Sequence, residues 1–183
     1  MQAAVLAIVL AFVGLTGTYV TNLYLTRRQE RLDRTNRQLS EFYGPLLAYL
    51  SANGRTFAAW QTHIRPDGVS IFVPEAGRPP TDDELRQWRL WFTTVLLPNV
   101  QKARQVVVDK TDLLVESAMP PVLLDLCAHV AACEILMARW NAGDFSEHLA
   151  IVSYPAAELL EYAETSFHRL KQQQATLLGG RRR

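Results

Sequence analysis

Residues 2–26, QAAVLAIVLAFVGLTGTYVTNLYLT, carry no charged side chain, whereas residues 27–38, RRQERLDRTNRQ, carry five arginines together with Glu30 and Asp33. A helix rising about 1.5 Å per residue needs roughly 20 apolar residues to cross the hydrocarbon core of a bilayer. The first stretch therefore reads as a transmembrane anchor over residues 1–26. The second reads as a polar helical stalk over residues 27–38. In the stalk Glu30 with Arg34 and Asp33 with Arg37 are acid-to-base pairs in the favourable i,i+4 order. Leu32 is its one apolar residue, so the stalk is expected to be solvated.

Charge asymmetry sets the expected orientation. Arg27, Arg28, Arg31, Arg34 and Arg37 follow the span and only the α-amine precedes it, which predicts an outside N-terminus and a cytoplasmic C-terminal domain. The expected location is thus the cytoplasmic membrane, in a single pass. A cleaved signal peptide would want basic residues before the apolar core and a small-x-small site after it. The first are missing, and Thr16-Gly17-Thr18 is a poor version of the second.

Behind the anchor, about 150 residues suffice for one hydrophobic core. The expected divisions are a helical bundle domain over residues 39–178 and a basic tail over 179–183. Arg181, Arg182 and Arg183 read as a solubilising tail, or as a weak contact for anionic headgroups. A formal net charge of +1 gives no reason to expect nucleic acid. Cys127 and Cys133 are too far apart along one helix to pair, and free thiols fit a reducing compartment.

The domain itself reads as all-α, a bundle of four or five helices. Leu39, Phe42, Leu46, Leu47 and Leu50 open the first helix, with a kink or restart expected at Gly44-Pro45 and an end near Trp60 to His63. Residues 65–80 hold Pro66, Gly68, Pro74, Gly77, Pro79 and Pro80 and form a long loop. Within it Val69, Ile71, Phe72 and Val73 form an apolar run that either tucks over the core or contacts a partner. Thr81 and Glu84 make a capping box for a helix carrying Leu85, Trp88, Trp91, Phe92, Val95 and Leu96. Pro98 is expected to end that helix and Asn99 to cap the next, which carries Val100, Ala103, Val107 and Leu114. After Pro120-Pro121 comes the most apolar helix, Val122 to Trp140, expected to be central and nearly surrounded. A last helix runs from Pro155 to Leu178, stopped by Gly179.

Chemistry-bearing patterns are few. Asp125, His129 and Cys133 recur every fourth residue on one helix stripe and invite a metal reading. Three in line span too far for one ion, so a solvent-facing edge with an Asp–His hydrogen bond is the plainer expectation. No Glu-x-x-His pair of the di-iron type occurs. His63, His129, His148 and His168 are scattered, with no nucleophile elbow and no phosphate loop. Trp60, Trp88, Trp91 and Trp140 serve as core anchors or line a pocket. Neither catalytic nor cofactor-binding residues are expected, and the chain does not read as an enzyme.

The anchor carries a stripe of small residues, Ala7, Ala11, Gly14, Thr18 and Thr21, at alternating spacings of four and three. Such a stripe lets two membrane helices approach closely and makes a candidate homodimer seam. The same register continues through Leu25, Leu32 and Leu39, interrupted by Arg28 and Thr35.

Three segments also carry a likeness. Residues 36–46, NRQLSEFYGPL, residues 139–145, RWNAGDF, with the later Tyr154-Pro155, and residues 168–171, HRLK, resemble a group of small uncharacterised bacterial membrane-anchored helical proteins. The resemblance spans nearly the whole chain and implies a bacterial cytoplasmic membrane. It brings no activity and no residue roles. The expected function is a membrane-anchored interaction or scaffold module that holds an unidentified protein partner at the membrane. The alternative is a small-molecule or lipid sensor with an aromatic-lined pocket, and a metal-dependent enzyme comes third. An apolar cavity with convergent polar groups would favour the sensor, and a filled core with an exposed apolar patch the module.

Overall fold

The computed structural model describes residues 2–66, Phe72 and residues 78–179, with side chains described at Leu10, Phe12 and from Gly14 onward. The described elements are helical: α1 (Gln2–Arg37), α2 (Gly44–Ile64), α3 (Asp82–Trp91), α4 (Leu97–Asp109), α5 (Pro121–Asn141) and α6 (Ala156–Gly179). Two π-helical stretches join neighbours, Gln38–Tyr43 between α1 and α2 and Phe92–Leu96 between α3 and α4.

Each π stretch runs up to a proline that has no N–H to donate and would crowd the carbonyl four residues back. Widening the helix relieves both problems. The Gly44 N–H goes to the Leu39 carbonyl and the Leu97 N–H to that of Phe92, so the chain passes Pro45 and Pro98 without breaking. The expected stop at Pro98 and the Asn99 cap are therefore absent. Residues 82–109 form one continuous helical run. Glycine is required at position 44, because a Cβ there would collide with the Leu39 carbonyl.

At the start of that run, Thr81 Oγ1 accepts from the Glu84 N–H at 3.2 Å and Glu84 Oε2 accepts from the Thr81 N–H at 2.7 Å. This is the capping box. Helix α5 ends in a Schellman motif. Gly143, at φ 81°, donates to the Trp140 carbonyl and Asp144 donates to that of Arg139, both at 3.0 Å.

Helix α2 lies between α4 and α6, and α5 packs against both of those helices. The larger core gathers Phe42, Tyr43 and Leu46 with Ala103, Val107, Leu123, Leu126, Leu159 and Ala163. A second core gathers Trp60, Trp88, Phe92, Leu96, Cys133, Leu136 and Trp140 at the other end of α2.

Helix α5 is less enclosed than its composition predicts. It buries Leu123, Leu126, Val130, Cys133, Leu136 and Trp140, but Leu124 and Ile135 are 54% and 65% exposed, with Ala128, Ala131 and Ala138 on the same outer face. Alanine and scattered large residues give an outer face little polar contrast. Among the described residues this is the helix long and apolar enough to cross a membrane, with a mean hydropathy of 1.7. Its buried face places it in the bundle.

The polar stretch after Arg27 also differs from a solvated stalk. Its lower half lies along α6, where Gln173 donates to Thr35 Oγ1 at 3.2 Å and Gln174 to Asn36 at 2.7 Å. Arg28 reaches the Leu177 carbonyl near the end of α6, with its Nε at 2.9 Å. Thr35 and Gln38 are buried as a result, and Gln38 donates onward to the Leu113 carbonyl at 3.0 Å. Polar side chains enter the bundle here because α6 supplies partners for them.

Candidate functional site

The aromatic core is built around Trp88. Its ring lies 5.3 Å from Trp60 on α2, 5.1 Å from Phe92 in the π stretch and 4.8 Å from Phe72 in the long loop. The indole N–H groups tie the irregular segment after α5 onto this cluster. Trp88 donates to the His148 carbonyl at 2.9 Å and Trp140 to that of Glu147 at 2.8 Å. Of the four tryptophans singled out by sequence, Trp60, Trp88 and Trp140 are buried, and Trp91 is 37% exposed.

Beside the cluster opens a cleft of about 400 Å³ between α2, the α3–α4 run and residues 149–156. One wall presents Phe57, Phe72, Trp88 and Phe92, and Leu97 and Val100 also line the cleft. The π stretch contributes directly, since its wide turn carries Phe92 and Leu96 to this wall. Among the described lining residues none is charged.

Polar groups converge on one side, from Asn53, His129, Ser153 and Tyr154. Asn53 occupies a buried position of α2, in register with Leu46, Leu50 and Trp60, and is 7% exposed. Its Oδ1 is buried without a hydrogen-bond partner. Leaving such an acceptor unpaired costs about 1–3 kcal/mol. Burial pushes the neighbouring Tyr154 hydroxyl up to about 12, offset in part by the Asn53 amide.

His129 has both ring nitrogens engaged. Nδ1 lies 2.7 Å from the Val152 carbonyl, which only an N–H can satisfy, so Nε2 is left to face Cys133 Sγ at 3.3 Å. Burial lowers the His129 pKa and keeps the ring neutral, while it pushes the Cys133 thiol up to about 11. The expected Asp125–His129 hydrogen bond on a solvent-facing edge is not what the chain forms. Cys133 is fully buried, Asp125 points outward, and the histidine pins residues 149–156 through Val152. Among the described residues no three His, Cys, Asp or Glu side chains gather as metal ligands.

Two polar clusters that sequence reading did not single out hold this architecture. Glu84 receives Arg65 Nε at 3.0 Å and Arg78 Nη2 at 2.8 Å, joining the two ends of the loop that carries Phe72. Across the larger core, Tyr43 and Tyr162 both donate to Glu116 Oε2, at 3.2 and 3.1 Å, and Tyr43 accepts from the Val115 N–H. Burial raises both phenol pKa values.

The remaining sequence candidates fall apart from the cleft. Of the small-residue stripe, Gly14, Thr18 and Thr21 are exposed, and both threonine hydroxyls donate to carbonyls of their own helix at 2.9 Å. The side chains of Ala7 and Ala11 lie outside the described residues. So do Val69, Ile71 and Val73, whereas Phe72 is half-buried against Trp88. No family model, no curated protein and no solved structure matches the chain.

Proposed function

We propose that the chain is a single-pass protein of a bacterial cytoplasmic membrane whose cytoplasmic bundle binds a small apolar molecule and relays its presence at the membrane. The observation that carries the binding reading is the uncharged aromatic cleft with a buried, unpartnered Asn53 acceptor. Small-molecule sites are concave, mostly apolar and fitted with few polar groups, and occupy about 300–1,000 Å³. The anchor reading draws on α1. Leu10, Phe12, Leu15, Tyr19, Val20 and Tyr24 are 62–71% exposed in a helix without charge before Arg27, a surface suited to lipid. Tyr19 and Tyr24 stand near the arginines, as interfacial aromatic residues do.

The test is extraction of the full chain purified in native-lipid nanodiscs, beside the Gly54→Trp variant. Gly54 is an exposed helical position at the rim of the cleft with open space around it, so tryptophan there obstructs entry without invading the core. An apolar small molecule near one equivalent, lost in the variant, is expected. Identical extracts from both proteins would refute the reading.

A second reading, the interaction module, draws on the outer face of α5, where Leu124 and Ile135 are exposed along an alanine stripe. Replacing both with lysine should leave folding unchanged and release a protein partner from isolated membranes. Retention of every crosslinked partner would set this reading aside.

A further inference from the structure

We infer that the cleft takes a neutral, flat apolar molecule carrying one hydrogen-bond donor, and that Asn53 receives the donor; this rests on the ligand-binding reading above. The walls set the shape. Trp88, Phe57 and Phe92 are aromatic and Phe72 closes on Trp88 edge-on, so π-faces make up much of the lining, which suits a planar ring system. The volume of about 400 Å³ is too small for a two-chain phospholipid.

Charge is disfavoured by the same lining. A carboxylate or ammonium entering would lose its hydration with no opposite charge among the described lining residues to meet it. His129 cannot serve as counter-ion, because burial keeps it neutral and both nitrogens are already engaged.

Of the four polar lining groups, Ser153 and Tyr154 carry hydroxyls that donate or accept alike, the Tyr154 hydroxyl already meeting the Asn53 amide, so discrimination falls to the two groups of fixed sense. The His129 Nδ1 proton is given to Val152 and Nε2 faces the Cys133 thiol. Asn53 Oδ1 remains as a buried acceptor with nothing donating to it, on a residue 7% exposed that lines the cleft. A ligand O–H or N–H satisfies it. A ligand lacking that donor leaves it buried and unpaired, and the site discriminates between the two for that reason.

The experiment is equilibrium dialysis of the full chain in nanodiscs, with empty nanodiscs as blank, using 2-naphthol, its methyl ether and 2-naphthoate as probes. All three share the ring system and differ in donor and charge. The unaltered protein should bind naphthol about five- to tenfold more tightly than the ether, a ratio set by one neutral hydrogen bond, and should not bind naphthoate. Asn53→Leu should bring naphthol down to the ether's affinity, and Gly54→Trp should abolish binding of both. Equal affinities for naphthol and ether, or naphthoate binding at least as well, would overturn the inference while leaving a ligand cleft in place. Binding that survives Gly54→Trp, or no binding by any probe, would overturn the inference and the cleft reading together. The probe comparison uses the unaltered chain and so does not depend on either variant folding.

Discussion

Arg65 donates from Nε to Glu84 Oε1 at 3.0 Å, with the two side chains only 3% and 8% exposed, and this bond closes the base of the loop between α2 and α3. Arg78 approaches the same carboxylate from the far end of the loop, and the Thr81 N–H adds a further bond. One residue therefore caps α3 and fastens the segment that sets Phe72 on the cleft wall.

Removing that carboxylate leaves the buried Arg65 guanidinium without its counter-charge, with only the Arg78 and Pro79 carbonyls still accepting from it, so Glu84→Gln should cost about 3 kcal/mol. The pH dependence follows in sign. Arg65 first and Arg78 second hold the Glu84 carboxyl well below its usual range. A carboxyl depressed by folding stabilises fully above its unfolded value of about 4.3 and loses that contribution as pH falls toward the folded value. Denaturant midpoints of the full chain should drop below about pH 4.3, and the drop should be shallower in Glu84→Gln. Parallel acid profiles in the two proteins would show that the pair contributes nothing.

Two glycines of α2, Gly44 at its start and Gly54 in its middle, should respond in opposite directions to alanine. In an exposed helix interior Gly→Ala stabilises by up to about 1 kcal/mol, and Gly54, with open space around it, should follow that rule. Gly44→Ala should instead destabilise, because the added Cβ meets backbone at the Leu39 carbonyl, which the π turn has brought under it. Thermal melts of both variants check this. A stabilised Gly44→Ala would mean the widened turn relaxes to an ordinary helix.

The features legible in the sequence were the local ones. Thr81 and Glu84 lie three residues apart, so their capping box needs only the helix they start. The arginines that converge on Glu84 come from across a loop, and no spacing rule connects Arg65 with Arg78. Pro98 reads as a stop under a rule that assumes the ordinary helical bond pattern, which the π turn avoids. Thr35 and Gln38 look like solvent residues until α6 and Leu113 supply their partners. Asn53 was within reach, since a polar residue in register with Leu46, Leu50 and Trp60 marks a core position with an amide in it.

The arginines after Thr26 carry a topology prediction. Fused at the C-terminus, a reporter active only in the cytoplasm should be active, and one active only outside should be silent. The opposite pattern would reverse the orientation and place the cleft outside the cell.

The last prediction concerns a second copy of the chain. Leu32, Thr35 and Leu39 continue the register of the small-residue stripe, but Leu39 is core and Thr35 is covered by Gln173 of the same chain, so α6 occupies this side of α1 below Arg28. What remains open to a partner helix is the part above, ending at Leu25, which is 51% exposed. Cysteine crosslinking in membranes should therefore join chains through Leu25→Cys and fail through Leu32→Cys. Gly14→Leu should suppress the Leu25→Cys crosslink by separating the backbones, and Val13→Leu, off the stripe, should not. Equal crosslinking at both positions would mean that α6 leaves α1, and crosslinking at neither would mean that α1 forms no such pair.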